Sequence, residues 1–174
     1  MYTVEDNFYD FPIFLGILDL IKDKPFNQVP KKYDGKRCSY GETRQYLTED
    51  SVLADLILSK FPYKKDYRRK IEIGNDVNGF WLKPHSDHSA KKDVTVIYFE
   101  GQENNGTTFH YENNDETIKF IPNRAVHFYP DLKDTYDSNS WKHSVKKINM
   151  DIRRTIVVNY VDNTWRDIKN CYDR

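Results

Sequence analysis

The run VTVIYF, at positions 94–99, decides the fold class of this chain. All of its residues are β-branched or aromatic, the types that fit a pleated, half-buried strand. From about position 68 onward, runs of this kind follow one another and polar turns separate them. The predicted strands are 70–73, 79–85, 94–99, 107–111, 117–121, 125–129, 141–145 and 153–160. Short strands at this spacing predict a β-sandwich or barrel.

Clusters of turn-forming residues mark the ends of these predicted strands. They are GND at 74–76, NNG at 104–106, NND at 113–115 and PN at 122–123, and the longest polar loop covers 130–140. Gly, Asn, Asp and Pro favour turns because they accept unusual backbone angles or bond to their own backbone. We therefore expect the chain to reverse direction at each cluster.

The first third of the chain has helical periodicity instead. One predicted helix begins at Asp10-Phe11-Pro12, and a second begins near Thr48 and ends at Pro62. Residues 30–41 are predicted to form a loop. The chain has 174 residues, the size of one domain. We expect a helical support region at 1–67, a β core at 68–161 and a C-terminal tail at 162–174.

Composition excludes several classes of protein. Lys and Arg together equal Asp and Glu, so the net charge is zero and argues against a nucleic-acid partner. Cys38 and Cys171 match no zinc-ligand spacing. The N-terminus lacks the pattern of a signal peptide, and the longest apolar stretch, 11–21, is too short to span a bilayer. We expect a soluble, cytoplasmic protein, and the sequence leaves its oligomeric state open.

The segment His85-Ser86-Asp87 ends one predicted strand. Residues two apart in an extended segment point to the same side, so the imidazole and the carboxylate can reach one point. Alone, such a pair is more often part of a surface turn, and a lone strand histidine such as His143 is more often structural. Together, two histidines and one carboxylate form the triad that holds Fe(II) and leaves coordination positions open.

Arg153 and Thr155 lie on one face of the last predicted strand. A guanidinium and a neighbouring hydroxyl suit a buried carboxylate. The alternative is that Arg153 opens an exposed strand edge. Because core-like residues follow directly, an inward Arg153 needs an anionic partner. If the register were shifted by one residue, Arg154 would face inward instead.

At this point the sequence resembles the 2-oxoglutarate/Fe(II) oxygenase superfamily. The shared motifs are H-x-D at 85–87, a second histidine 56 residues after Asp87 (143 − 87), and R-x-T ten residues after that histidine (153 − 143). The segments VTVIYF at 94–99, NGTTF at 105–109 and FIPNRAVHF at 120–128 are similar to the prolyl-hydroxylase-like branch. The resemblance covers about residues 79–160, and the N-terminal part weakly resembles small bacterial and phage-type members.

The resemblance implies a mainly β fold with N-terminal helices, the double-stranded β-helix or jelly roll of cupin-like proteins. It implies Fe(II) held by His85, Asp87 and His143. It also implies 2-oxoglutarate as cosubstrate, with its distal carboxylate on Arg153 and Thr155. Tyr98 would add a phenol to that carboxylate, although packing in the core is an equal alternative for this residue.

The reaction implied is oxidative decarboxylation of 2-oxoglutarate to succinate and CO₂. It would use O₂, with ascorbate as a candidate reductant, and would be coupled to hydroxylation of a peptide side chain such as proline or of a small metabolite. Asn159 stands where alkylation-repair demethylases of this superfamily carry a second arginine, which argues against base repair. The alternatives are a cupin-type metal-binding protein that does not use 2-oxoglutarate, and an inactive binding module.

The sequence leaves the surroundings of this site open. His88, His110 and His127 are candidates for lining the substrate pocket or for ordinary packing, and so are Trp81 and Trp141. We expect substrate specificity to come from two polar segments, 131–140 and 30–46. The substrate itself cannot be inferred from the sequence.

Overall fold

The computed structural model describes residues 2–22, 37–38, 43–47, 51–111, 114–130, 142–149 and 152–165. These residues form two α-helices, one short 3₁₀ turn at Glu103–Asn105 and eleven strands. The helices are α1 (Phe11–Lys22) and α2 (Val52–Leu58). The strands are β1 (Tyr2–Glu5), β2 (Arg37–Cys38), β3 (Thr43–Leu47), β4 (Arg68–Val77), β5 (Trp81–His85), β6 (Lys91–Glu100), β7 (Thr107–Tyr111), β8 (Asn114–Thr117), β9 (Ala125–Phe128), β10 (Lys142–Val145) and β11 (Ile152–Val161).

The strands form two antiparallel sheets. The major sheet has the order β1-β9-β6-β11-β4-β3, and the minor sheet has the order β2-β5-β10-β7-β8. Antiparallel strands of this length commonly pack as two facing layers. The mainly β fold predicted from the sequence is confirmed, and its strands lie in two sheets, as in a β-sandwich.

One face of the major sheet packs against the helices. Its central strands contribute Ile71, Ile73, Ile97, Phe99, Ile156 and Val158 to a buried cluster, and α1 and α2 contribute Phe14, Ile17, Ile21, Leu53 and Ile57. The sheet residues alternate along each strand because successive side chains point to opposite faces. The helices thus cover the face of the sheet that turns away from the minor sheet.

The other face of the major sheet meets the minor sheet. A second buried cluster joins Val94, Val96 and Tyr98 of β6 and Val126 and Phe128 of β9 to Phe109 of β7. The rings of Phe109 and Phe128 meet edge to face, with their centroids 5.4 Å apart. Such aromatic pairs stabilise a fold by more than the burial of their apolar area alone. This cluster fixes the spacing of the two sheets beside the candidate site.

Several boundaries differ from the prediction. The cluster at 74–76 is no turn but lies inside β4, where β3 and β11 hydrogen-bond to either side of it. The strand predicted at 117–121 is found as β8, Asn114–Thr117. The helix predicted to begin near Thr48 begins at Val52, because the Ser51 hydroxyl accepts the Ala54 N–H and caps it.

The region predicted as helical support also contributes strands. β1 pairs with β9, and β3 pairs with β4, so both edges of the major sheet come from the first 47 residues. In the described parts of the chain, no helix has the length and apolar character needed to cross a membrane.

Candidate active site

A cavity opens between the two sheets, and both sheets line it. The major sheet contributes Glu72, Lys91, Val94, Val96, Phe128, Arg153, Thr155 and Val157, and the minor sheet and its connections contribute Phe80, Leu82, His85, Asp87, Thr107, His143 and Val145. Seven of these fifteen residues are apolar and eight are charged or polar. Concave sites that combine apolar walls with convergent polar groups are typical of ligand pockets.

Three of these groups converge on one point. His85 ends β5 and lies directly opposite His143 of β10, with the two ring centroids 4.3 Å apart. Asp87 follows His85 by two residues, so its side chain turns to the same side. Each residue offers one donor atom, and these atoms all lie within 4.8 Å of one another. The minor sheet therefore gathers the histidines and the carboxylate that the sequence singles out.

The Asp87 carboxylate has one satisfied oxygen and one orphaned oxygen. Lys91 Nζ lies 2.7 Å from Oδ1. Oδ2 is buried, has no hydrogen-bond donor among the described residues, and lies 3.8 Å from His143 Nε2. Burial would raise the pKa of the Asp87 carboxyl, but Lys91 and the two histidine rings outweigh it and hold that pKa well below its usual range. Asp87 is therefore an anion at neutral pH.

His143 is held in its neutral form. Burial, helped by the neighbouring His85, lowers the pKa of the His143 imidazole to about 3, although Asp87 acts against the shift. A neutral imidazole is the form that ligates a metal. Together with the orphaned oxygen of Asp87, this donor set fits a divalent transition metal of the kind that two histidines and one carboxylate hold.

Arg153 and Thr155 line the same cavity from β11. The Arg153 side chain is buried, its Nε donates to the Asn105 carbonyl at 2.7 Å, and its Nη1 donates to Asp76 Oδ2 at 2.6 Å. The Thr155 hydroxyl is buried and has no hydrogen-bond partner within the described part of the chain. The sequence predicts that an inward Arg153 needs an anionic partner, and the protein itself supplies one in Asp76.

Arg154 faces the other way. Its guanidinium pairs with Glu100, which is part of β6, and it does not line the cavity. The strand register is thus the one in which Arg153 faces inward.

Tyr98 is fully buried behind the cavity wall. Its hydroxyl donates to Thr107 Oγ1 and accepts from the Thr107 N–H, each at 2.8 Å. Its ring lies 5.9 Å from the Arg153 Cζ. This arrangement favours the packing role that the sequence left open over a direct contact with a cosubstrate.

Of the remaining sequence candidates, those that the structure describes lie outside the cavity wall. His88 accepts the Ala90 N–H, His110 bonds to Asp115 and Ser144, and His127 bonds to Thr95. Trp81 does not line the cavity either. Trp141 and the segment 131–140 lie outside the described residues, as does most of 30–46.

Sequence reasoning missed three charged groups near the site: Asp76, Glu72 and Lys91. The sequence predicts a turn at 74–76, whereas Asp76 lies in β4 directly opposite Arg153. Lys91 follows Asp87 by four residues, and no local pattern marks their ion pair. Only the pairing register of β4 with β11 identifies Asp76 as the neighbour of Arg153, because directly opposed residues of paired strands are in contact.

No protein-family model matches the chain, and no curated protein matches it. Solved structures do. A prolyl-4-hydroxylase from Pseudomonas putida is 11% identical with a TM-score of 0.66, and the match covers 92% of each chain. A prolyl hydroxylase from Trichoplax adhaerens, in complex with a hypoxia-inducible factor peptide fragment, is 18% identical with a TM-score of 0.64 and coverage of 92% and 83%.

A viral collagen prolyl hydroxylase from Paramecium bursaria Chlorella virus-1, in its 2-oxoglutarate complex, is 15% identical with a TM-score of 0.60. That match covers 92% of this chain and 94% of the viral one. At such identities the likeness concerns the fold. The chain is structurally similar to prolyl-hydroxylase-like 2-oxoglutarate/Fe(II) oxygenases, as the sequence motifs predict.

Proposed function

We propose that this protein is an Fe(II)- and 2-oxoglutarate-dependent oxygenase built on a double-stranded β-helix, and that it hydroxylates a peptide side chain or a small metabolite. One observation carries the proposal. The triad of His85, Asp87 and His143 and the pair of Arg153 and Thr155 line a single cavity from opposite sheets. A metal site alone would fit many proteins, whereas a metal site facing a buried arginine fits an oxo-acid cosubstrate.

In this proposal His85, Asp87 and His143 hold the iron. Bound iron supplies the activation of O₂ that couples decarboxylation of 2-oxoglutarate to hydroxylation of a C–H bond. The protein keeps His143 neutral and Asp87 ionised, which are the ligating forms of both groups. Lys91 binds Asp87 Oδ1, so it orients the carboxylate and leaves Oδ2 for the metal.

Arg153 and Thr155 would receive the distal carboxylate of 2-oxoglutarate. Among the described residues, Asn105 and Asp76 accept two of the five guanidinium N–H groups of Arg153, and the guanidinium lines the cavity, where further N–H groups can meet a ligand. The buried Thr155 hydroxyl can donate to the same carboxylate. Val96, Phe128 and Val157 add apolar surface to the same cavity, which would help to exclude water once a ligand is bound.

Peptide proline is the substrate class that we favour. The structural neighbours include prolyl hydroxylases, one of which binds a peptide fragment. One fold accommodates many substrates, so a free amino acid or other small metabolite is the alternative that the same experiment tests.

One observation favours a second function. Arg153 already has an anionic partner in Asp76. A cupin-type metal-binding protein that does not use 2-oxoglutarate would have the same metal site and would use Arg153 only to stabilise the sheet. Formation of succinate distinguishes the two.

The experiment measures succinate and bound metal together. The purified protein is given Fe(II), 2-oxoglutarate, O₂ and ascorbate, with and without proline-containing peptides or free amino acids. We expect succinate formation that a substrate accelerates, and we expect His143→Ala to abolish both metal binding and succinate formation. His110→Ala is the matched control, since His110 lies on neighbouring β7 but outside the cavity wall.

Circular dichroism would show that both variants fold. Metal binding without succinate formation would support the cupin-type alternative. Full activity of the His143→Ala variant would contradict the assignment of His143 as a metal ligand.

A further inference from the structure

Asp76 and Arg153 form a buried ion pair at the cosubstrate end of the cavity. The two residues lie directly opposite each other in β4 and β11. The Asp76 side chain is fully buried and that of Arg153 is 3% exposed, and Nη1 and Oδ2 are 2.6 Å apart. Arg153 also lines the cavity, so one guanidinium faces both a protein carboxylate and the space for a ligand.

This pair changes what Arg153 can do for a ligand. A guanidinium without a counter-ion strongly attracts a buried carboxylate, because charges in a low-dielectric site interact strongly. Here the Asp76 carboxylate already balances the charge. A ligand carboxylate on the remaining N–H groups would share the guanidinium with Asp76, and the two anions would repel each other. The net gain from the ligand's distal charge is therefore reduced.

We propose that Asp76 is a specificity-determining residue of the cosubstrate site. By neutralising Arg153, it makes the site discriminate weakly between 2-oxoglutarate and a 2-oxo monocarboxylic acid of the same chain length. The site would then accept 2-oxo acids as a class through their shared oxo-acid end. This inference rests on the proposed function, and it assigns to Asp76 an effect on ligand choice rather than on the chemical step.

The cavity wall beside the pair agrees with this assignment. Thr155 lies directly opposite Gly74, which has no side chain, and its hydroxyl has no partner among the described residues. Thr155 therefore adds a neutral hydrogen-bond donor to the cavity that Arg153 lines, and the other cation of the cavity wall, Lys91, is paired with Asp87. A neutral donor favours a carboxylate less strongly than a charged one does.

The test measures binding without turnover. Wild-type protein is loaded with Mn(II), and the dissociation constants of 2-oxoglutarate and 2-oxovalerate, which lacks the distal carboxylate, are measured by calorimetry. We expect 2-oxoglutarate to bind less than about tenfold more tightly, which is below the gain expected from one charged hydrogen bond to a free guanidinium. A larger preference in the wild type overturns the proposal, whatever happens in the variants.

Asp76→Asn is the informative variant, since it retains an acceptor oxygen and removes the charge. We expect it to bind 2-oxoglutarate more tightly and to raise the preference over 2-oxovalerate by about tenfold. Glu100→Gln is the matched control, because it disrupts the neighbouring pair with Arg154 outside the cavity. The control should leave both dissociation constants unchanged.

Other outcomes are equally decisive. Weaker binding of 2-oxoglutarate by Asp76→Asn overturns the proposal, because it would make Asp76 a residue that merely positions Arg153. If Asp76→Asn does not fold, the wild-type preference decides alone. If the metal-loaded wild type binds neither acid, the proposed function fails and this inference fails with it. Binding of 2-oxoglutarate with an unchanged preference in Asp76→Asn overturns this inference only.

Discussion

The Tyr98 hydroxyl and Thr107 are joined by two hydrogen bonds, one to the Thr107 Oγ1 and one from the Thr107 N–H, each 2.8 Å long. Tyr98 belongs to β6 of the major sheet and Thr107 to β7 of the minor sheet. The phenol therefore ties the two sheets together beside Arg153. Because the hydroxyl both donates and accepts in this contact, its hydrogen-bonding capacity serves the fold.

We expect Tyr98→Phe to lower stability and to leave cosubstrate affinity unchanged. The variant leaves the Thr107 N–H without its buried acceptor, which costs about 1–3 kcal/mol. Urea denaturation would measure the loss, and calorimetry on the Mn(II)-loaded protein would measure the affinity for 2-oxoglutarate.

Tyr160→Phe is the control, since it removes one tyrosine hydrogen bond, to the Pro62 carbonyl, away from the cavity. Tyr160→Phe should lower stability less than Tyr98→Phe, because it leaves no buried backbone N–H group without an acceptor. If Tyr98→Phe kept its stability but lost much of its affinity for 2-oxoglutarate, the Tyr98 hydroxyl would instead contact the cosubstrate.

Gly106 is expected to be intolerant of any side chain. A Cβ at this position would overlap the Ile118 carbonyl oxygen, which belongs to the backbone and cannot turn aside. Gly106→Ala must therefore move the segment whose Asn105 carbonyl accepts the Arg153 Nε–H. We expect a loss of at least about 1–3 kcal/mol in stability, as for overpacked cores, and weaker binding of 2-oxoglutarate.

Gly16→Ala is the matched control, because a Cβ there meets nothing within 4 Å. Gly16 lies within α1, where alanine is favoured over glycine by about 0.5–1 kcal/mol. This variant should gain stability and keep its affinity. Equal behaviour of the two variants would contradict the close approach at Gly106.

The sequence predicts the fold class because the strands carry their signal locally. In β6 and β11, β-branched and aromatic residues fill both faces, one toward the helices and one toward the cavity, so composition alone marks them as strands. The convergence of His85 and Asp87 also follows from local geometry, since residues two apart share a face. His143 is distant in sequence from His85 and Asp87, so its place beside them could be predicted only from a known family motif.

The sequence could not predict the environment of Arg153. Gly74, Asn75 and Asp76 have strong turn preferences, yet they continue β4 because strands pair with it on both sides. Tertiary pairing overrides local preference at such positions. As a result, a turn prediction for Asp76 hides its role as the buried counter-ion of Arg153. Pairing of β1 with β9, more than a hundred residues later, is equally invisible to a local pattern.

The environment of His127 leads us to expect that the stability of the protein falls as the pH falls. Its ring lies between β1 and β6, where Nδ1 contacts the Thr95 hydroxyl at 2.7 Å. Burial lowers the pKa of His127 from 6.5, while the facing carboxylates of Asp93 and Glu5 act against the shift. The unfolded chain thus takes up a proton at a higher pH than the folded protein does, so this site removes stability as the pH falls below about 6.5.

We expect the urea midpoint to fall between pH 7.5 and 5.5, and to fall less in His127→Gln. Glutamine retains a hydrogen bond to Thr95 but cannot be protonated. Other groups titrate in the same interval, so the difference between wild type and variant is the quantity that isolates His127. Parallel pH curves would show that its protonation is not linked to folding.

The last prediction concerns the coupling of Arg153 to Asp76. Arg153→Lys keeps the charge but loses the planar fork, so one ammonium must serve the Asn105 carbonyl, Asp76 and the ligand together. We expect the dissociation constant of 2-oxoglutarate to rise, but by less than about tenfold, since Asp76 already limits what the arginine contributes. Arg154→Lys, which alters the pair with Glu100 outside the cavity, should leave that constant unchanged.

In an Asp76→Asn background, Arg153→Lys should weaken binding more than it does in the wild type, because the guanidinium there interacts with the ligand without a competing anion. Residues in direct contact typically show such non-additivity, and a double-mutant cycle measures it. Calorimetry on the four Mn(II)-loaded proteins gives the coupling. Additive effects would mean that Asp76 stabilises the sheet without influencing the ligand. A loss of affinity in Arg154→Lys rather than Arg153→Lys would place the cosubstrate on the opposite face of β11.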